Sequence, residues 1–199
     1  MPTPTIYFIR HGETAWNAAG RFQGTKDIPL NDLGRVQAAQ AGGILGDLTA
    51  RDGRRLDDLM FVASPLIRAR CTMELVRQQL ALPADGFALD DRLREIAYGV
   101  WEGSTLAEMR ASHPELFAQR ERDKWNVSPP GGESYVTVTR RMRDWYDQLT
   151  ADTVAVSHGG TARALMVALG VATPESAADL FIEQGAVYVF SDGRLMKYG

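Results

Sequence analysis

The sequence predicts a three-layer α/β/α sandwich with a mostly parallel central sheet and an antiparallel edge hairpin near the C-terminus. Three observations predict it. Short apolar runs recur at residues 6–9, 59–63 and 153–156, the right length for buried strands and too short for helices. Each is followed by segments whose apolar residues return with helical spacing, and that alternation is the pattern of a parallel sheet covered on both faces. Near the end, residues 186–190 and 195–198 flank Ser191-Asp192-Gly193-Arg194, a hairpin signal.

The elements follow in order. Ile6 to Ile9 reads as a buried strand. Asn31 is placed to cap a helix running through Leu48, with Leu33, Val36, Ile44, Leu45 and Leu48 on its inward face. Leu59 to Ala63 is a second strand, and Ser64-Pro65 reads as the N-cap and first residue of a helix to about Leu82. Residues 106–123 look helical, with Thr105 and Glu108 as a capping box and Pro114 as a break. "SPPGG" at 128–132 is a loop. Tyr135, Val138, Met142, Trp145 and Leu149 mark the next apolar helix face. Thr153 to Val156 is a third buried strand, Gly159 to Leu169 a helix, and Thr173-Pro174 the start of one more. With no repeat, low-complexity tract or long linker, residues 1–199 read as one domain.

Composition narrows the function. Of 199 residues 45% are hydrophobic, ample for a core, and the formal net charge of −3 argues against a nucleic-acid or anionic-membrane partner. Cys71 is the only cysteine, so no internal disulfide forms, and a reducing cytoplasm is the expected compartment. The N-terminus lacks the basic and apolar regions of a secretion signal, and no apolar run is long enough for a membrane span.

Ligands of open α/β sheets bind at the carboxyl ends of the strands. The first strand ends in Arg10-His11-Gly12, and the strand at 153–156 ends in Ser157-His158-Gly159-Gly160. The strand at 59–63 ends at Ser64, with Arg68 one turn on. Three strand ends thus bring two imidazoles and two guanidiniums to one rim. Arginine forks match tetrahedral oxyanions, and glycine-rich helix starts add N–H donors. A neutral imidazole in such a pocket can attack phosphorus. The bland readings differ in weight: a lone arginine is usually a surface ion-pair residue, but Arg10 directly follows a buried strand. His113, before Pro114 in a polar helix, reads as surface. Phe22, Trp101, Met109, Phe117 and Trp125 fit either an apolar outer pocket or the core.

"RHGETAWN", "RFQGTKDIPLNDLG", "SPLIRARCT", "LREIAYGVWEG", "PGGESY" and "VSHGG", in that order, resemble the histidine phosphatase superfamily, also called phosphoglycerate-mutase-like. The resemblance spans most of the chain. It implies that His11 is the phosphorylated nucleophile, that Arg10, Arg68 and His158 hold the phosphoryl oxygens with Asn17 assisting, and that Glu95 is the proton donor. It also implies that Gln23 and Gly24 face the substrate and that no cofactor or metal is needed. The implied reaction is hydrolysis of a small phosphomonoester, and whether the chain forms a homodimer stays open. The alternatives are a mutase using 2,3-bisphosphoglycerate and a non-catalytic module that binds a phosphorylated ligand. Such mutases typically carry a lysine three residues past the position of Gly103, where this chain has Leu106. They also carry a longer insertion before the glycine pair, where only "NVSPP" stands between Trp125 and Gly131. Specificity is expected in the Phe22 to Ile28 loop and in a lid segment around 101–133.

Overall fold

The computed structural model describes residues 3–199. Its strands are β1 (Ile6–Arg10), β2 (Met60–Ala63), β3 (Ala88–Leu89), β4 (Thr153–Ser157), β5 (Val187–Ser191) and β6 (Arg194–Tyr198). Its α-helices are α1 (Ala15–Ala18), α2 (Asp32–Arg51), α3 (Ile67–Gln79), α4 (Leu106–Ser112), α5 (Pro114–Arg122), α6 (Tyr135–Tyr146), α7 (Gly159–Ala168) and α8 (Pro174–Ala178). The sheet order is β3-β2-β4-β1-β5-β6. The first four of these strands are mutually parallel, while β5 runs antiparallel to β1 and β6 antiparallel to β5. The predicted sandwich and its edge hairpin are therefore present. The hairpin turns through Asp192 and Gly193 at positive φ, 51° and 70°, the backbone that a two-residue turn between twisted strands requires.

Period-two alternation divides the core. Ile6 and Phe8 of β1 face one apolar layer with residues of α6 and α7, while Tyr7 and Ile9 face the other with residues of α2 and α3. Every residue of β4 and all of β1 but Arg10 are buried, and residues 6–9 and 154–156 are apolar, as strands covered on both faces must be.

Three local expectations are corrected. Asn31 does cap α2, its side chain accepting from Gly34 N–H at 2.8 Å, and Leu45 and Leu48 face inward as expected, but Leu33 and Val36 do not. Leu33 and Val36 are 51% and 63% exposed, and the buried stripe is Gly34, Ala38, Ala41, Gly42, Leu45, Leu48 and Thr49. The stripe is small because α2 packs backbone-close: a Cβ on Gly42 would lie 3.0 Å from Val76 O on α3, and one on Gly12 would lie 2.0 Å from Gly34 O. Second, Ser64 caps nothing. Helix α3 starts at Ile67, whose N–H is taken by Asp27 Oδ1 at 2.6 Å, and ends at Gln79. Third, α6 stops at Tyr146, so Leu149 packs from the following turn.

The 101–133 segment holds α4 and α5, divided at Pro114 as expected, with the Thr105–Glu108 capping box formed. Trp101, Met109, Phe117 and Trp125 are all buried in the layer that also holds Tyr98 and Tyr135, with Phe22 partly buried against it; Phe117 and Trp125 also border a cavity together with Leu106, Pro174 and Ala178. His113 is half-buried, not surface: its Nδ1 lies 3.2 Å from Trp101 Nε1 and accepts the indole N–H. No helix among the described residues is long and apolar enough to cross a membrane.

Candidate active site

The three adjacent parallel strands β2, β4 and β1 end at the same level. Ala63 pairs with Val156 and Arg10 with Ser157, so Ser64, His158 and His11 are the residues that leave the sheet together. The His11 and His158 rings lie 5.1 Å apart, tilted by 60°. His11 Nδ1 is 2.7 Å from Gly12 O, and a carbonyl only accepts, so the proton sits on Nδ1 and the Nε2 lone pair is free. Its backbone is held by Ser157 O at 2.9 Å, and Gly12 N–H donates to Thr72 Oγ1 at 3.1 Å.

Both arginines are fixed by backbone carbonyls. Arg10 Nη1 donates to Ile182 O at 2.6 Å; Arg68 donates to Lys26 O at 2.6 Å and Gly24 O at 2.8 Å. Neither takes part in an ion pair among the described residues. Burial lowers the pKa of both guanidiniums, that of Arg68 to about 10. Gly24 holds φ of +52°, which points its carbonyl at Arg68; a Cβ there would meet Glu102 Oε1 at 2.2 Å.

His158 is completely buried, and its Nε2 lies 2.7 Å from Ser64 Oγ. Among the described residues, three buried side-chain nitrogens or oxygens have no hydrogen-bond partner: Arg10 Nε, Arg68 Nε and His158 Nδ1. All three belong to residues expected to hold one phosphoryl group. Buried polar atoms without partners are rare and costly, so three of them converging here mark a place for an acceptor-rich group.

Glu95 follows the 3-10 turn at residues 91–93. Its Oε1 accepts from Ile96 N–H at 2.9 Å and Gly160 N–H at 3.0 Å, which ties it to the start of α7 beside His158. A Cβ on Gly160 would lie 2.4 Å from that oxygen, so the second glycine of "HGG" makes room for the carboxylate. Asn17 and Gln23 are placed less directly. Asn17 Oδ1 accepts from Thr14 N–H and from Gln184 Nε2, each at 3.2 Å, and Gln23 Oε1 accepts from Thr14 Oγ1 at 3.0 Å. They brace the loop after β1.

Sequence reasoning missed the other wall. Residues 180–184 follow α8 and turn three polar contacts inward: Leu180 O to Arg163 Nε, Ile182 O to Arg10 Nη1, and Gln184 to Asn17. Phe181 stays 69% exposed with its ring 5.9 Å from the Arg10 guanidinium. Nothing in "DLFIEQG" announces this wall, because its work is done by main-chain carbonyls. Ser64 was misread as a cap, and Arg163 was not considered.

Electrostatics suit the neutral form of both histidines. Burial first, then the charges of Arg68 and Arg10, hold His11 well below the ordinary imidazole range; burial, Arg68 and His11 do the same for His158. The linkage has a definite sign. Below the ordinary value of about 6.5 the unfolded chain takes up protons that the folded chain refuses, so stability falls as pH drops through that value. Each imidazole adds up to about 1.4 kcal/mol per pH unit to that slope. In urea unfolding between pH 7.5 and 5.5, His11→Asn is expected to show a shallower pH slope than wild type by up to one proton. Identical slopes would contradict a neutral, buried His11.

The fold is that of an α/β protein whose adjacent strand ends gather two buried histidines and two arginines. The chain belongs to the histidine phosphatase superfamily (branch 1), whose family model matches residues 6–193. It is 35% identical over 183 residues to the glucosyl-3-phosphoglycerate phosphatase of Mycobacterium tuberculosis, covering 85% of this chain and 76% of that one. It is 30% identical over 185 residues to 2,3-bisphosphoglycerate-dependent phosphoglycerate mutase 2 of Gloeobacter violaceus, covering 89% and 81%. A solved structure of mycobacterial glucosyl-3-phosphoglycerate phosphatase with VO3 superposes with a TM-score of 0.81 at 29% identity, covering 98% of this chain and 97% of that one.

Proposed function

We propose that this chain is a phosphomonoesterase that hydrolyses a small phosphorylated metabolite through a phosphohistidine on His11. The observation that carries the reading is the set of three unpartnered buried nitrogens, Arg10 Nε, Arg68 Nε and His158 Nδ1, around a histidine whose Nε2 lone pair is free. The phosphatase relatives support it.

The proposed steps balance. His11 Nε2 attacks phosphorus, the P–O bond to the leaving group breaks, and Glu95 gives its proton to the departing oxygen. Arg10, Arg68 and His158 bear on the equatorial oxygens as their charge is redistributed. Water then attacks the phosphohistidine, Glu95 takes its proton, the P–N bond breaks, and His11 is again a neutral imidazole. The Gly12 carbonyl keeps the His11 proton on Nδ1 throughout, which is why Nε2 is the nucleophile.

His158 must present a proton to an anion while remaining neutral. It has one ring proton, and an oxyanion at Nδ1 selects the tautomer that places it there. Nε2 then needs a donor, and the Ser64 hydroxyl supplies it; Leu66 N–H points at the same oxygen at 3.4 Å. Ser64→Ala leaves a buried Nε2 acceptor unpaired at a cost of about 1–2 kcal/mol, read as roughly a tenfold or larger fall in kcat/KM. An unchanged kcat/KM would remove Ser64 from the site.

A single domain over 1–199, with 101–133 as the segment that varies specificity, is part of the same proposal. Both α4 and α5 sit on the core layer, and Glu102 ties this segment to the Phe22 to Ile28 loop through Thr25 N–H at 2.9 Å. The reading is tested by phosphate release from a phosphomonoester panel in the presence of EDTA, beside a mutase assay with and without 2,3-bisphosphoglycerate. Phosphate release that survives EDTA and exceeds mutase turnover is expected; mutase turnover in large excess would overturn it.

A further inference from the structure

The Arg68 guanidinium is aimed by a turn. Its Nη2 donates to Gly24 O at 2.8 Å and its Nη1 to Lys26 O at 2.6 Å. A guanidinium is planar, so two anchored Nη groups fix the direction of Nε, which is buried and unpartnered. Where that nitrogen points therefore depends on how firmly residues 24–26 are held. Main-chain bonds close the base of the turn: Gly103 N–H donates to Phe22 O at 2.7 Å, Phe22 N–H to Ser104 O at 3.0 Å, and Lys26 N–H to Gln23 O at 3.0 Å. Among the described residues no main-chain bond holds the peptide between Gly24 and Thr25.

A side chain holds it instead. The Gly24 carbonyl and the Thr25 N–H belong to one peptide unit, and in a trans unit the two point opposite ways. On the side away from Arg68, the Thr25 N–H donates to Glu102 Oε1 at 2.9 Å. Thr25 Oγ1 lies 3.0 Å from Oε1 and 3.1 Å from Oε2 of the same carboxylate. Tyr98 N–H reaches Oε1 at 3.3 Å and steadies the carboxylate from its own segment. Glu102 thus holds one end of a peptide plane whose other end holds Arg68. A peptide engaged at both ends makes each of its two hydrogen bonds stronger. Arg10 is arranged alike: it donates to Ile182 O, and the Glu183 N–H at the far end of that peptide donates to Tyr188 Oη at 2.8 Å.

We infer that Glu102 is a positioning residue for Arg68, acting through the peptide between Gly24 and Thr25. This rests on the phosphomonoesterase reading and deepens it, because it makes the grip on the phosphoryl group depend on the first residues of the 101–133 segment.

The test is a double-mutant cycle on the full chain, read as kcat/KM for p-nitrophenyl phosphate, with circular dichroism to confirm the fold. Glu102→Ala is expected to lower kcat/KM about tenfold while Arg68 is present. In the Arg68→Ala background the same change is expected to cost less than about twofold, whereas a merely structural role would cost the same in both. Glu102→Gln keeps an oxygen for the Thr25 N–H, and Thr25→Ala keeps that N–H and loses only the hydroxyl; both are expected to stay within about threefold of wild type. Orthovanadate, which occupies a phosphoryl site, gives a second readout: its inhibition constant is expected to rise about tenfold in Glu102→Ala and to stay near wild type in Glu102→Gln. Equal losses from Glu102→Ala with and without Arg68, or wild-type rates and orthovanadate inhibition in Glu102→Ala, would overturn the positioning role while leaving the phosphatase reading in place. No phosphate release by wild type would overturn the phosphatase reading, and this inference with it.

Discussion

Replacing His11 with asparagine is expected to lower phosphate release by on the order of 10⁴-fold or more, the scale seen when a nucleophile is removed from a site that otherwise stays assembled. The size follows from the geometry. Within the described residues His11 Nε2 is the one ring nitrogen here whose lone pair is left free by a fixed tautomer, since Nδ1 donates to Gly12 O and His158 Nε2 faces Ser64. Asparagine matches the shape of the inner half of the ring but offers no comparable nucleophile. The residual rate would reflect direct attack by water on a phosphoryl group still held by the arginines. Initial rates on a phosphomonoester, with circular dichroism to confirm the fold, check this. A variant that keeps more than about a tenth of the wild-type rate would exclude His11 as the attacking group.

Glu95→Gln is the second large effect, and its signature is a dependence on the leaving group. For an alkyl phosphate the departing alkoxide needs a proton, and the loss is expected at about 10²- to 10⁴-fold. For p-nitrophenyl phosphate the departing phenolate needs none, so the first step is expected to keep most of its speed. The second step still lacks its base, so the variant should release a burst of nitrophenol and then stall as the phosphohistidine. Glutamine cannot exchange a proton, yet it can still accept from Gly160 N–H through its amide oxygen, so the contact that positions the side chain is kept. Equal losses on both leaving groups, without a burst, would assign Glu95 to positioning alone.

The chemistry of the site was legible where it is written at strand ends. "IRHG" and "VSHGG" each place a histidine two residues past an apolar run, and the pairing of Arg10 with Ser157 shows why both reach one rim. Glu95 was legible only through the resemblance, since no strand leads into it. What could not be read is what depends on distant main chain. Ser64 looks locally like a cap; its partner is an imidazole 94 residues away. Residues 180–184 act mostly through carbonyl oxygens, which every residue has, so their side chains give no signal. The face of α2 was misassigned because large apolar residues were assumed to face inward, whereas a helix packed against Gly12 and α3 must turn its small residues in. Trp101 and Phe117 lay in a segment expected to vary specificity, but they are needed by the core.

A covalent phosphorus–nitrogen bond at His11 Nε2 is the step on which the proposed hydrolysis depends. The direct measurement is rapid acid-free quenching of wild-type protein turning over a ³²P-labelled phosphomonoester, followed by peptide mapping at alkaline pH. The predicted result is label on the peptide containing His11, stable to alkali and lost in acid, absent from His11→Asn and accumulating in Glu95→Gln. Phosphate release at full rate with no label on that peptide, or label that survives acid, would contradict it.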